Sequence, residues 1–399
     1  MFLDLLTRRN PALIEAAISL HQDRKLPANC YVLDLDTVEE NARLFNDKAV
    51  SLGLKTFAMT KQVGRHSGFC EAVMRGGIDR CVAVDIACAV ACHRAGLKVG
   101  HLGHLVQIPS GETDLAAGYL QPDYWTVFSD DKADEAAQAA HRAGRDQGLL
   151  ARIQTEGDTF YRGHEGGFEA ETIVDVADRM DARDGAHFAG ITTFPALLFD
   201  HATRKVKPTP NLATLNRAAE ALAKAGRTNF EINAPGTTSS AVLSALADAG
   251  ATQCEPGNGL HGTTPLHAVE DLPERPAVLY LSEVSHSHAD KAFCFGGGLY
   301  VDPVFPEYDV RAIVSKNSGD KSTRSVEIPN RQSIDYYGMI DATGSSRPET
   351  GDSVIFGFRG QAFVTRAYIA GISGISRGTP TVTTIENIFG QRETWPDLR

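Results

Sequence analysis

Eight short apolar runs, most of them followed by a helical pattern, constrain this chain more than any other feature. They span residues 55–60, 80–86, 99–108, 125–129, 149–155, 188–194, 229–234 and 252–255. Ala-rich stretches with helical spacing lie between most of them, for example 131–144 and 212–226. Strands with one wet face alternate apolar and polar residues. These runs do not, which predicts strands buried on both faces of a parallel sheet. A strand–helix unit repeated eight times predicts a (β/α)8 TIM barrel.

The chain has 399 residues, well beyond the ~250 of a barrel. The surplus lies at both ends. A helix (10–22), a strand (30–36) and a helix opening at Thr37, with Glu40 at capping-box spacing, precede the barrel. After about Pro273 the texture becomes β-rich, at 280–285, 292–300, 308–314, 353–358 and 362–370, with no long helix between. The expected organisation is an N-terminal helix and strand (1–36), the strand joining the β domain. A barrel (37–272) and a C-terminal β domain (273–399) follow.

The formal net charge of −11 repels phosphate backbones and argues against a nucleic-acid partner. No apolar run approaches the ~20 residues of a membrane span. The first apolar run precedes the arginines at 8 and 9, and Glu15 interrupts the next, unlike a secretory signal. Seven cysteines without a CxxC pair fit buried thiols in a reducing cytoplasm.

Active sites of TIM barrels lie at the carboxyl ends of the strands. The first run ends in FAMTKQVGRH, which puts Lys61 at that rim. The seventh ends in APGTTSS and the eighth in CEPGNGLHGTT. Phosphate groups in barrels are commonly held by these last two loops. Here they supply Gly236, Thr237 and Thr238, then Gly257, Asn258 and Gly259, with Thr263 and Thr264 beyond. Glycine lets backbone N–H groups approach an anion, and hydroxyls add donors. A rim lysine is ordinarily a solvated charge. Facing a phosphate cradle, it suits imine formation with a phosphate-bearing aldehyde, pyridoxal 5′-phosphate (PLP).

These segments resemble the fold-type III PLP enzymes, the alanine racemase and ornithine decarboxylase relatives, and in particular their YhfX-like branch. YVLDLDTVEEN (31–41) is similar to the family's strand–helix entry and FAMTKQVGRH (57–66) to its cofactor-lysine segment. The resemblance implies a Schiff base on Lys61. CEPGNGL resembles the segment whose Glu meets the pyridine nitrogen, which implies that role for Glu255. FYRGHEGG implies Arg162 at the ring hydroxyl, with Arg152 as the alternative, and GITTFPA implies Phe194 stacked on the ring. A carboxylate at the ring nitrogen keeps it protonated and makes the ring a strong electron sink.

The resemblance further implies a homodimer with shared active sites, in which RQSIDYYGMID (331–341) supplies a proton donor to the partner's site. Tyr337 is the first choice, Tyr336 the second, and Asp335 a decarboxylase-like alternative. The expected function is an amino-acid racemase. The alternatives are a lyase or decarboxylase of the same fold and a non-catalytic PLP carrier. No metal is expected: His286 and His288 share a strand face, but no third ligand stands at the spacing of metal-using relatives. The loop at 195–211, with Arg204, Lys205 and Lys207, reads as a lid or as a trap for an anionic substrate group.

Overall fold

The computed structural model describes residues 1–300, 302–305, 308–317, 319–330 and 332–394. Arg331, the first residue of the tyrosine-bearing segment, lies outside them. Among the described residues no helix is long and apolar enough to cross a membrane. The chain divides into two compact units. One comprises Ala42–Thr60 and Val73–Leu260, the other Met1–Asn41, Lys61–Ala72 and His261–Arg399.

The first unit is the barrel. Each of the eight apolar runs contributes one parallel strand. In order they are 55–59, Arg80–Ala83, Lys98–Leu102, Tyr124–Val127, Gln147–Gln154, Ala186–Thr192, Glu231–Asn233 and Gln253–Cys254. The first strand breaks at Phe57. Lys55–Thr56 pairs with the last strand and Ala58–Met59 with Arg80–Ala83, so one strand closes the ring from both sides. Both faces of these strands are covered: the adjacent Leu149 and Leu150, and Ile191, are all fully buried. After the sixth strand the chain forms a hairpin, Leu197–Asp200 against Lys205–Pro208, in which Lys207 pairs with Asp200.

The second unit is a β-barrel with an extended sheet. Six strands close an antiparallel ring: Val278–His288, Lys291–Phe295, Tyr337–Asp341, Asp320–Glu327, Arg311–Asn317 and Ser353–Phe356. Cys30–Asp34 lies antiparallel to Val278–Leu281 and parallel to Tyr368–Ser373, which pairs with Thr381–Glu386. Helix Pro11–Gln22 buries Leu13, Ile14, Ala17 and Ile18 against Val32, Leu279, Leu281 and Ile355. Its start is set by Pro11 and by Asn10, whose Oδ1 accepts from the Leu13 amide.

Local readings needed correction in three places. The helix expected from Thr37 spans Leu35–Ser51, and Asp34 accepts from the Thr37 amide at 3.1 Å and from its hydroxyl at 2.6 Å. Ala362–Val364 is a 3-10 turn, and the following strand begins at Tyr368. Asp320–Glu327 is a strand that the apolar pattern does not reveal, because nearly all its side chains face water.

Candidate active site

The carboxyl ends of the barrel strands converge on one carboxylate. Glu255 follows the eighth strand directly and is 4% exposed. Its Oε1 accepts from the Asn233 amide at 2.9 Å and lies 2.5 Å from Nδ1 of His101. Each of these neighbours is itself held. Asn233 accepts from the Thr192 hydroxyl and donates to Gln253, while Nε2 of His101 meets the Thr126 hydroxyl. The five anchors come from the third, fourth, sixth, seventh and eighth strands, so barrel closure itself assembles the cluster.

Burial alone would push the Glu255 carboxyl upward. The imidazoles of His104 and His101 and the hydrogen bonds from His101 and Asn233 outweigh it and hold the group at about 2. Glu255 is therefore an anion with one oxygen saturated. Its other oxygen, Oε2, is buried and makes no hydrogen bond among the described residues, with His104 Nε2 3.6 Å away. A buried carboxylate oxygen without a donor calls for a cationic N–H.

Arg152, in the fifth strand, is 1% exposed. Its Nη2 donates to the carbonyls of His164 and Phe194, at 2.7 and 3.3 Å. Its Nε and Nη1 have no hydrogen-bond acceptor among the described residues. The guanidinium lies over the rings of Phe128 and Phe160, at 4.7 and 5.6 Å, and burial lowers its pKa to about 10. Arg162, by contrast, is exposed on the loop after that strand. Phe194 follows the sixth strand, ringed by His104, Tyr161 and His164 at centroid distances of 5.5, 5.9 and 6.1 Å.

The last two loops pack against each other without room for side chains. A Cβ at Gly259 would lie 2.5 Å from the Thr238 carbonyl oxygen, and one at Gly236 would lie 2.4 Å from that of Leu197. The Thr237 amide donates to Leu197, and the Thr238 hydroxyl to Gly236. Gly257 is buried, and its carbonyl accepts from the Leu260 amide. Ser239 Oγ and Asn258 Oδ1 are buried without a hydrogen-bond partner among the described residues. The open Glu255 oxygen, the spare Nε and Nη1 of Arg152 and the Ser239 hydroxyl fit a ligand that combines a pyridinium, an acidic hydroxyl and a phosphate. PLP has that donor and acceptor set.

Lys61 follows Thr60 at the end of the first barrel run and opens the 3-10 turn Lys61–Val63. It counts with the β unit, where its Nζ lies 5.2 Å from the Phe363 ring centroid. In the same unit Tyr337 is half-buried among His286, Phe293 and Phe295. Tyr336 is 63% exposed, with Arg366 over its ring. Both carboxylate oxygens of Asp335 are engaged, by Arg366 and by the Gly297 amide. His286 and His288 are exposed, and His286 stacks on Phe293.

Among the described residues, the one set with three metal-ligating atoms within 4.8 Å is His101, His104 and Glu255. Both ring nitrogens of His101 are occupied by hydrogen bonds, to Glu255 and to Thr126. In this structure His101 and Glu255 form a hydrogen-bonded imidazole–carboxylate pair. Neither histidine stood out in the sequence, because HLGH lies inside an apolar strand run. The available signal was two histidines at a strand's carboxyl end.

A model of the alanine racemase N-terminal domain matches residues 33–265, and one of the YhfX-like C-terminal domain matches residues 279–382. Over 383 residues the chain is 39% identical to YhfX of Escherichia coli (strain K12), a protein described as uncharacterized, covering 96% of this chain and 97% of that one. Among solved structures, D-threonine aldolase from Filomicrobium marinum matches with a TM-score of 0.67 at 17% identity, over 92% of this chain and 96% of its own. Alanine racemase from Clostridium difficile 630 matches at 0.62 and 13%, over 91% and 99%. D-threo-3-hydroxyaspartate dehydratase from Delftia sp. HT23 matches at 0.65 and 15%, over 90% and 97%. The chain belongs to the alanine racemase family, in its YhfX-like branch, and has the fold of the fold-type III PLP enzymes.

Proposed function

We propose that this protein is a PLP-dependent amino-acid racemase. The observation that carries the reading is the ionised Glu255, with one oxygen saturated and the other buried without a donor. When bound, the cofactor supplies an electron sink for the α-carbon of an amino acid. Glu255 would hold its ring nitrogen in the protonated state. Arg152, with its vacant Nη1, would meet the ring hydroxyl in preference to the exposed Arg162. Phe194 would pack on the ring face, and the loops at 236–239 and 257–259 would hold the phosphate. Lys61 would hold the cofactor through its amine and move the α-proton on its own face.

Inversion needs a second acid on the opposite face. Tyr337 is the choice and Tyr336 the alternative, supplied by a partner copy. Asp335 is a poor candidate because both its oxygens are already engaged. D-threonine aldolase and D-threo-3-hydroxyaspartate dehydratase share the fold, so a lyase is the rival reading.

Two measurements test this. Borohydride reduction should fix the cofactor on a peptide containing Lys61, and Lys61→Ala should lose it. A label elsewhere overturns the reading. Proton spectroscopy in deuterium oxide should then show α-exchange and inversion with the carbon skeleton retained. Release of a keto acid, aldehyde or amine instead would establish the lyase.

A further inference from the structure

His101 is the residue whose placement the proposed chemistry does not yet explain. It is fully buried in the third barrel strand, across the barrel from the eighth. A buried imidazole is favourable only when both nitrogens find partners. Here they find Glu255 Oε1 and Thr126 Oγ1, each at 2.5 Å. A hydroxyl can donate to Nε2, which leaves the ring proton on Nδ1, where it can only donate to the carboxylate. Asn233 adds its own donor to the same oxygen, its amide oriented by Thr192 on one side and Gln253 on the other. In that arrangement both groups packed on Oε1 are donors, which favours the carboxylate over the carboxylic acid.

The charged and titratable groups facing Glu255 are His101 and His104, with the Cys254 thiol adjacent in the chain. His104 flanks the second oxygen and meets the edge of Phe194. The pair thus divides the carboxylate, with one oxygen immobilised and the other left for a ligand.

We propose that His101, oriented by Thr126, is a positioning residue that keeps Glu255 anionic and so keeps the cofactor's ring nitrogen protonated. The proposal rests on the PLP reading and acts entirely through Glu255. His101 need not touch the cofactor. Thr126 and Asn233 serve the same end from the fourth and seventh strands.

The test uses the full-length protein reconstituted with PLP labelled with nitrogen-15 in the ring. The ring-nitrogen chemical shift reports its protonation without any turnover. In the unaltered protein it should stay at the protonated value over the whole pH range in which the protein is folded. His101→Leu should lower the pH at which the nitrogen loses its proton by about one unit or more. His101→Asn, whose side-chain amide can stand in for Nδ1–H, should restore most of the shift, and Thr126→Val should fall between. If His101→Leu fails to fold, the contrast of Thr126→Val with the unaltered protein decides. An unchanged pH profile in His101→Leu, or in Thr126→Val if that variant alone folds, overturns the proposal while leaving the PLP reading intact. Absence of bound cofactor in the unaltered protein overturns the PLP reading itself.

Discussion

At the scale of single residues the decisive contrast is between two arginines and one carboxylate. Arg152 and Arg162 are ten positions apart and alike in the sequence. One ends in the barrel interior with two nitrogens unspent, and the other is in water. Side-chain direction at a strand end is set by the pleat and by barrel closure, and neither is visible from a loop motif. Glu255 stood out as a candidate because CEPGNGL carries it on a recognisable turn. Its partners did not, because His101 stands 154 residues earlier, in another strand, and meets Glu255 only when the ring closes. Replacing Glu255 with Gln should leave the cofactor bound and slow α-proton exchange by about a hundredfold, measured by deuterium incorporation. The same residue links stability to pH. Its folded-state pKa lies below the ordinary value, so its contribution is present above about 4.5 and is lost as pH falls toward about 2. Urea midpoints of the cofactor-free protein should fall through that window, and Glu255→Gln should flatten the decline.

At the scale of elements, the barrel strands were readable because strands buried on both faces must be apolar throughout. The β unit was harder. Strands such as Lys291–Phe295 and Tyr337–Asp341 have one partly exposed face, and in Asp320–Glu327 almost the whole strand is wet. Pairing there is decided by register with Arg311–Asn317 and Tyr337–Asp341, which no local pattern encodes. The loops after the seventh and eighth strands sit between these cases. Their glycines stood out in the sequence, and the structure gives a packing reason for one of them, since Gly259 sits where any Cβ would strike the Thr238 carbonyl. Gly259→Ala should therefore push the two loops apart, destabilise the protein by about 1–3 kcal/mol and weaken PLP retention. Thermal unfolding and equilibrium dialysis of the cofactor would measure the two effects separately. Unchanged retention would remove this loop from the phosphate site.

At the scale of the whole molecule, the β unit presents Ile334, Tyr336 and Val364 to water, each 60–63% exposed. Large apolar side chains clustered at an exposed face suit a second copy of the chain. If each site is shared, mixing the inactive variants Lys61→Ala and Tyr337→Phe should restore activity. Random pairing gives about half mixed dimers with one intact site each, so recovery should approach roughly a quarter of the unaltered activity. No recovery from two dimeric, inactive variants would place both groups in one chain. Connectivity carries a further consequence. Strand Cys30–Asp34 leaves the β unit, the chain then builds the barrel, and its two sheet neighbours begin only at Val278 and Tyr368. During synthesis this apolar strand must wait for more than two hundred further residues before either neighbour exists. The barrel can complete itself earlier, since its strands end at Cys254. The nascent protein therefore passes through a stage with a finished barrel and an unpaired Cys30–Asp34 strand. Chaperone dependence and aggregation during expression should concentrate at that stage and ease once the last strands emerge.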